Sequence, residues 1–179
     1  MGNRLAKKRV LVSQASDFMG PITTEFFRSE GAEVITSTRD LTSAQVCQDL
    51  VDSAGDIDVL IANLAGPTNT GIQVTDLSNE QWGSGFRYMV DPLHWLTQAV
   101  LPQMIERKKG KIVVYGSAAG LKGMKTVAAY STARAAQIGY VRAVGVEVAP
   151  HNIQINLIAQ NYVENPVYYP PELMQKESF

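Results

Sequence analysis

Five short apolar runs, RVLVSQ (9–14), AEVITS (32–37), IDVLIAN (57–63), GKIVVYGS (110–117) and IQINLIA (153–159), are divided by longer stretches rich in helix formers. Runs rich in Val and Ile separated by helix-length segments predict a parallel sheet covered on both faces, because each parallel neighbour is reached only by a crossover. Residues 19–30, 42–54, 78–108 and 127–149 carry the helices; Gly31, Gly55, Gly110 and the Pro150-His151-Asn152 turn are expected to close them. Pro92, inside the longest helical pattern, predicts a kink or a break between two helices. The fold class is therefore α/β, a doubly wound parallel sheet in three layers, α/β/α.

Only about 20 residues separate the second run from the third, enough for one helix but not for helix, strand and helix. The first half-sheet is thus abbreviated. Right-handed crossovers then put the third strand on the opposite side of the first from AEVITS, with a topological switch point and ligand crevice beside Ser13 to Gly20. No repeat or linker interrupts residues 1–160, so 1–179 is expected to be a single domain. From residue 161 the chain turns rich in Pro, Tyr and Asn, as expected of a loop and short helix placed to serve as a pocket lid.

Composition narrows the partners. A chain of 179 residues buries roughly 70% of its unfolded surface, so a real core is expected. The hydrophobic fraction is 45%, and a net charge of -1 gives no electrostatic reason to expect nucleic acid or anionic membrane. A small molecule is the expected ligand. No run reaches the length of a membrane span and MGNRLAKKR has no apolar segment, so a cytoplasmic protein is expected. The single cysteine, Cys47, reads as a buried small residue, and His94 and His151 have no companions at metal-ligand spacing; no metal is expected.

Candidate chemistry lies at strand ends. Ser117, Tyr130 and Arg134 stand in GSAAGLKGMKTVAAYSTARAA, a strand end followed by a loop and then a helix with Tyr and Arg at i and i+4 on one face. They bring together a hydroxyl donor, a potential base and a fixed cation. A tyrosine ionises near pH 10, and each unit of lowering takes about 1.4 kcal/mol of preferential phenolate stabilisation. An arginine within about 4–6 Å can supply one to three units without itself losing a proton. The loop Ser13-Gln14-Ala15-Ser16-Asp17-Phe18-Met19-Gly20 holds one glycine where a dinucleotide loop needs several, and Phe18 and Asp17 stand where a pyrophosphate would lie. The loop either packs on the sheet or lines a small-molecule pocket. No acid ends AEVIT to hold a ribose, although Asp40 lies a few residues on. Asn63 either ties adjacent strands or faces ligand, and Gln160, Asn161 and Tyr162 follow the last strand at the ligand-binding edge. Trp82, Phe86, Tyr88 and Trp95 read as core or subunit contact.

Over essentially its whole length the chain resembles the short-chain dehydrogenase/reductase superfamily, segment by segment in order: RVLVSQASDFMGPITTEFFRSEGAEVI, IDVLIANLAG, LTQAVLPQM, GKIVVYGSAAG, AAYSTARAA and NIQINLIA. The resemblance implies a Rossmann-like fold. The departures share a direction. The usual Tyr-x3-Lys reads Tyr130-x3-Arg134, the glycine-rich loop reads Ser13-x4-Phe18-x-Gly20, the usual Pro-Gly reads Gln160-Asn161, and the helix asparagine corresponds to Met89. These features resemble the halohydrin dehalogenases, the B-type in particular.

That resemblance implies an enzyme without a cofactor: Ser117 holds a substrate hydroxyl, Tyr130 removes its proton with help from Arg134, and the alkoxide displaces a neighbouring halide to close an epoxide. It further implies a halide pocket of Phe18, Gln160, Asn161 and Tyr162, epoxide opening by small anions in reverse, and a homotetramer or homodimer built on helices 78–108 and 127–149. Small halohydrins, epoxides and halide are the implied partners. The family continues past the position of Phe179, so its C-terminal strand and helix are expected to be absent. Two rivals stand beside this reading: an NAD(P)-dependent reductase of the same fold, and a silent binding protein that keeps the trio without turnover.

Overall fold

The sheet runs β2-β1-β3-β4-β5, every neighbouring pair parallel. It is seen in a computed structural model that describes residues 3–163; the C-terminal tail from 164, with the expected lid, lies outside the described residues. The strands are β1 (Arg9–Val12), β2 (Glu33–Thr36), β3 (Val59–Ala62), β4 (Gly110–Tyr115) and β5 (Ile153–Ile158). The helices are α1 (Gly20–Ser29), α2 (Ala44–Ala54), α3 (Asn79–Gly85), α4 (Asp91–Glu106) and α5 (Ala128–Val148). The strand order bears out the expected α/β class, the abbreviated half-sheet and the switch point: β1 feeds β2 on one side and β3 lies on the other.

Alternation along the strands divides the core. Leu11, Leu60, Ile112 and Ile155 face one side, where they pack with Leu50 and Val51 of α2, Leu96 and Val100 of α4 and Val141 of α5. Val10, Val12 and Ile61 face the other side and pack with Phe27 of α1. On α4, Leu93, Leu96, Val100 and Met104 recur at helical spacing and are fully buried.

Pro92 acts as a break of an unexpected kind. Between α3 and α4 the chain makes a π-helical turn, Phe86–Val90, and Pro92 falls in the first turn of α4, where its missing N–H costs no helical bond. Ser78 begins α3 with a capping box, its Oγ accepting from Gln81 N–H at 3.1 Å while Gln81 Oε1 accepts from Ser78 N–H at 2.9 Å. Gly31 and Gly55 follow α1 and α2 with φ of +86° and +69°, as closing glycines should. Gly110 does not close a helix. It opens β4, and a Cβ there would stand 2.3 Å from Met104 Sδ.

Two ionisable groups report on this frame. Asp58, just before β3, accepts from the Arg9 N–H at 3.0 Å and pairs with Lys109 at 3.2 Å. Desolvation pushes its carboxyl upward, but the Arg9 N–H and the Lys109 and Lys8 charges outweigh that and hold it below the usual carboxylate range. A depressed folded value gives stability that is present above the unfolded value and lost as pH falls through the folded one. Thermal stability is therefore expected to drop on acidification below about pH 4, with a shallower drop in Asp58→Asn by calorimetry. Cys47 is buried as expected, and desolvation pushes its thiol up to about 11. At pH 8 a thiol-disulfide reagent should leave the native protein unlabelled and label it once denatured, because the thiolate is the reactive form.

Candidate active site

The carboxyl ends of β1, β3, β4 and β5 open onto a cavity of about 250 Å³. Phe18, Gly66, Ser117, Tyr130, Arg134, Gln160, Asn161 and Tyr162 are among the residues that line it. Every residue singled out from the sequence for the trio and the anion pocket thus reaches one space. Met124 and Val127, from the loop before α5, add apolar wall.

Ser117 ends the β4 segment and begins a 3-10 turn, Ala118–Gly120. Its Oγ accepts from the Ala119 N–H at 3.1 Å, which leaves its own O–H to donate. The turn lies hard against α5, and a Cβ on Gly120 would stand 2.7 Å from the Arg134 carbonyl carbon. Only glycine lets the Ser117 turn approach the helix that carries Tyr130 and Arg134.

Arg134 is 2% exposed, and its guanidinium carbon sits 5.1 Å from the centroid of the Tyr130 ring. Nη1 donates to the Tyr115 carbonyl and to Gln137 Oε1, both at 3.0 Å. Nε is buried without a partner, and among the described residues no carboxylate lies within ion-pair distance. A buried cation with no counter-ion among the described residues favours negative charge in the cavity it lines.

Asn63 resolves to the structural alternative. It is fully buried, and its Nδ2 donates to the carbonyls of Gln14 and Asp17, both at 2.9 Å, tying the β1–α1 loop to the end of β3. Ser13 Oγ donates to the Asn63 carbonyl at 3.1 Å, and Gln14 Oε1 accepts from the Ala65 N–H at 2.6 Å. Gln14 and Phe18 have φ of +43° and +51°, left-handed positions that cost a non-glycine residue about 1–2 kcal/mol each. A Cβ on Gly20 would meet the Ala15 and Gln14 carbonyl oxygens at 2.6 Å. The loop therefore keeps a glycine-type path while carrying side chains, and it leads to an α1 N-terminus with no side-chain cap. That backbone suits a pyrophosphate. Phe18 lines the same cavity as Tyr130.

The aromatic residues divide. Trp95 packs on the core, whereas Trp82 is 43% exposed and lies tilted against Phe86 with ring centroids 6.1 Å apart. Asp40 is exposed and accepts from the Thr42 N–H at 3.2 Å, in a turn of its own. His94 lies edge-on to Tyr140, away from the cavity lining. Gln137 was not anticipated, although its place three residues after Arg134 puts both on one helix face.

The profile of the short chain dehydrogenase family matches residues 3–170, and the chain belongs to that family. The 3-oxoacyl-[acyl-carrier-protein] reductase FabG of Thermotoga maritima is 29% identical, over 92% of this chain and 77% of its own. A solved structure described as a dehalogenation enzyme superposes with TM-score 0.86 at 29% identity, covering 96% of this chain and 79% of that one. NAD+-bound xylitol dehydrogenase superposes with TM-score 0.84 at 27% identity, covering 90% and 73%.

These relatives correct one expectation. An enzyme without a cofactor was expected, but FabG is a reductase, the xylitol dehydrogenase was solved with NAD+, and reduction requires a hydride source. The retained loop path and bare α1 N-terminus agree with the correction. No helix among the described residues is long and apolar enough to cross a membrane.

Gly120→Ala tests the construction of the site. It should separate the Ser117 turn from α5 and lower turnover by about 10- to 100-fold with little change in far-UV circular dichroism.

Proposed function

We propose that the cavity activates the oxygen of a small alcohol or carbonyl compound. Ser117 holds that oxygen with its free O–H, Tyr130 exchanges a proton with it, and Arg134 stabilises negative charge on the Tyr130 side. One observation carries this reading: a buried guanidinium with no carboxylate partner among the described residues lies against the ring of Tyr130, which lines the same cavity as Ser117.

The relatives favour the redox use of this step, an NAD(P)-linked interconversion of carbonyl and alcohol. Gly20 and the α1 N-terminus would hold the pyrophosphate, and Arg39, just past β2 where an acid would select NAD, favours a 2′-phosphate. A nicotinamide held there would supply hydride for the carbonyl carbon. The chain supplies the proton at oxygen from Tyr130 and excludes water with Phe18, Met124 and Val127.

A second reading is favoured by Arg134 at the usual lysine position, by Phe18 against the cavity and by the dehalogenation enzyme among the neighbours. In a vicinal haloalcohol, Tyr130 takes the hydroxyl proton and the oxygen lone pair forms a bond to the adjacent carbon. The carbon–halogen bond breaks, and halide leaves with its electron pair toward Phe18, Gln160, Asn161 and Tyr162. Association through α4 and α5 is proposed for either reading.

Two assays separate the readings: nicotinamide absorbance with NADPH and a small β-keto ester, and halide release from a small vicinal bromoalcohol. Tyr130→Phe should reduce whichever turnover is found by at least about 100-fold at unchanged melting temperature. Full activity in that variant would remove Tyr130 from proton transfer.

A further inference from the structure

We infer that Gln137 is a positioning residue that fixes the Arg134 guanidinium against Tyr130 without neutralising it; the inference rests on the proton-transfer role proposed above. Gln137 is fully buried on α5, one turn beyond Arg134. Its Oε1 accepts from Arg134 Nη1 at 3.0 Å, and its Nε2 donates to the Met89 carbonyl at 2.7 Å. That carbonyl belongs to the π-turn Phe86–Val90, in which the Asp91 N–H bonds back five residues to the Phe86 carbonyl. Nη1 is thus held from two sides, by the end of β4 through Tyr115 and by the turn before α4 through Gln137.

The chemistry of position 137 is narrow. An acceptor must face the guanidinium and a donor must face the carbonyl, and an amide carries both on one planar group. A carboxylate would oppose the Met89 oxygen and cancel the charge that Tyr130 uses. A hydrocarbon would leave a buried N–H and a buried carbonyl short of partners. Among the described residues no ion pair competes for Arg134, so the neutral amide fixes the cation while leaving its field directed at the phenol.

The test uses Gln137→Met, which keeps length and volume and removes both bonds, in whichever turnover assay responds. Expected is a fall in kcat of roughly 10- to 100-fold with KM within about twofold. In an Arg134→Met background the same change should have no further effect on kcat, because Gln137 acts through the arginine. Wild-type kcat in Gln137→Met, or an equal loss in both backgrounds, overturns the inference. A readout independent of turnover accompanies it: the Arg134 Nη signals in nitrogen NMR should be resolved in the wild type and averaged by rotation in Gln137→Met. Unchanged Nη signals also overturn it. Should Gln137→Met fail to fold, Gln137→Leu carries the test with the same expectations: kcat falls and the Nη signals average, and wild-type kcat or unchanged Nη signals overturn the inference. Full turnover in Tyr130→Phe would instead defeat the proton-transfer role, leaving the NMR result to decide whether Gln137 holds the guanidinium.

Discussion

The site depends on a cation taken out of water with no anion among the described residues to meet it. Burying a charge is costly unless it is paired or well hydrogen-bonded. Among the described residues Arg134 meets neutral acceptors, the Tyr115 carbonyl and the Gln137 amide, and the face of the Tyr130 ring. A structural role alone would favour a carboxylate there or an apolar side chain. The arrangement makes sense if the missing negative charge forms during turnover. Gly120 serves the same end, because its absent Cβ lets Ser117 approach the helix that carries the charge.

The β1–α1 loop is held with equal care. Asn63 gathers the Gln14 and Asp17 carbonyls, Ser13 closes onto the end of β3, and Gln14 reaches the Ala65 N–H. These bonds hold Gln14 and Phe18 at left-handed angles that neither residue prefers alone. The backbone path of a cofactor loop and the aromatic wall of a small-substrate pocket therefore coexist in one segment. The redox reading draws on the first property and the dehalogenation reading on the second.

The sheet was legible in the sequence because buried parallel strands leave long apolar runs, and the placement of β2 and β3 on opposite sides of β1 followed from one short connection and right-handed crossovers. Ser117, Tyr130 and Arg134 were legible for a local reason: helical spacing fixes the last two on one face. The non-local features were not. Gln137 carries no local signal, because its partner, the Met89 carbonyl of the π-turn, comes from another helix. Gly110 reads as a helix stop until Met104 is seen packed above it. The left-handed angles at Gln14 and Phe18 left no signal, because neither residue advertises them. The expectation of no cofactor leaned on the glycine count, on Phe18, Asp17 and Arg134 and on the resemblance they carry, and it overlooked the backbone path beneath those side chains.

The most direct measurement is turnover and melting temperature of Arg134→Met. If the buried cation serves chemistry rather than the fold, kcat should fall by about 100-fold or more while the melting temperature stays within a few degrees of the wild type or rises. Retained kcat with a large loss of stability would contradict this and make Arg134 a structural residue.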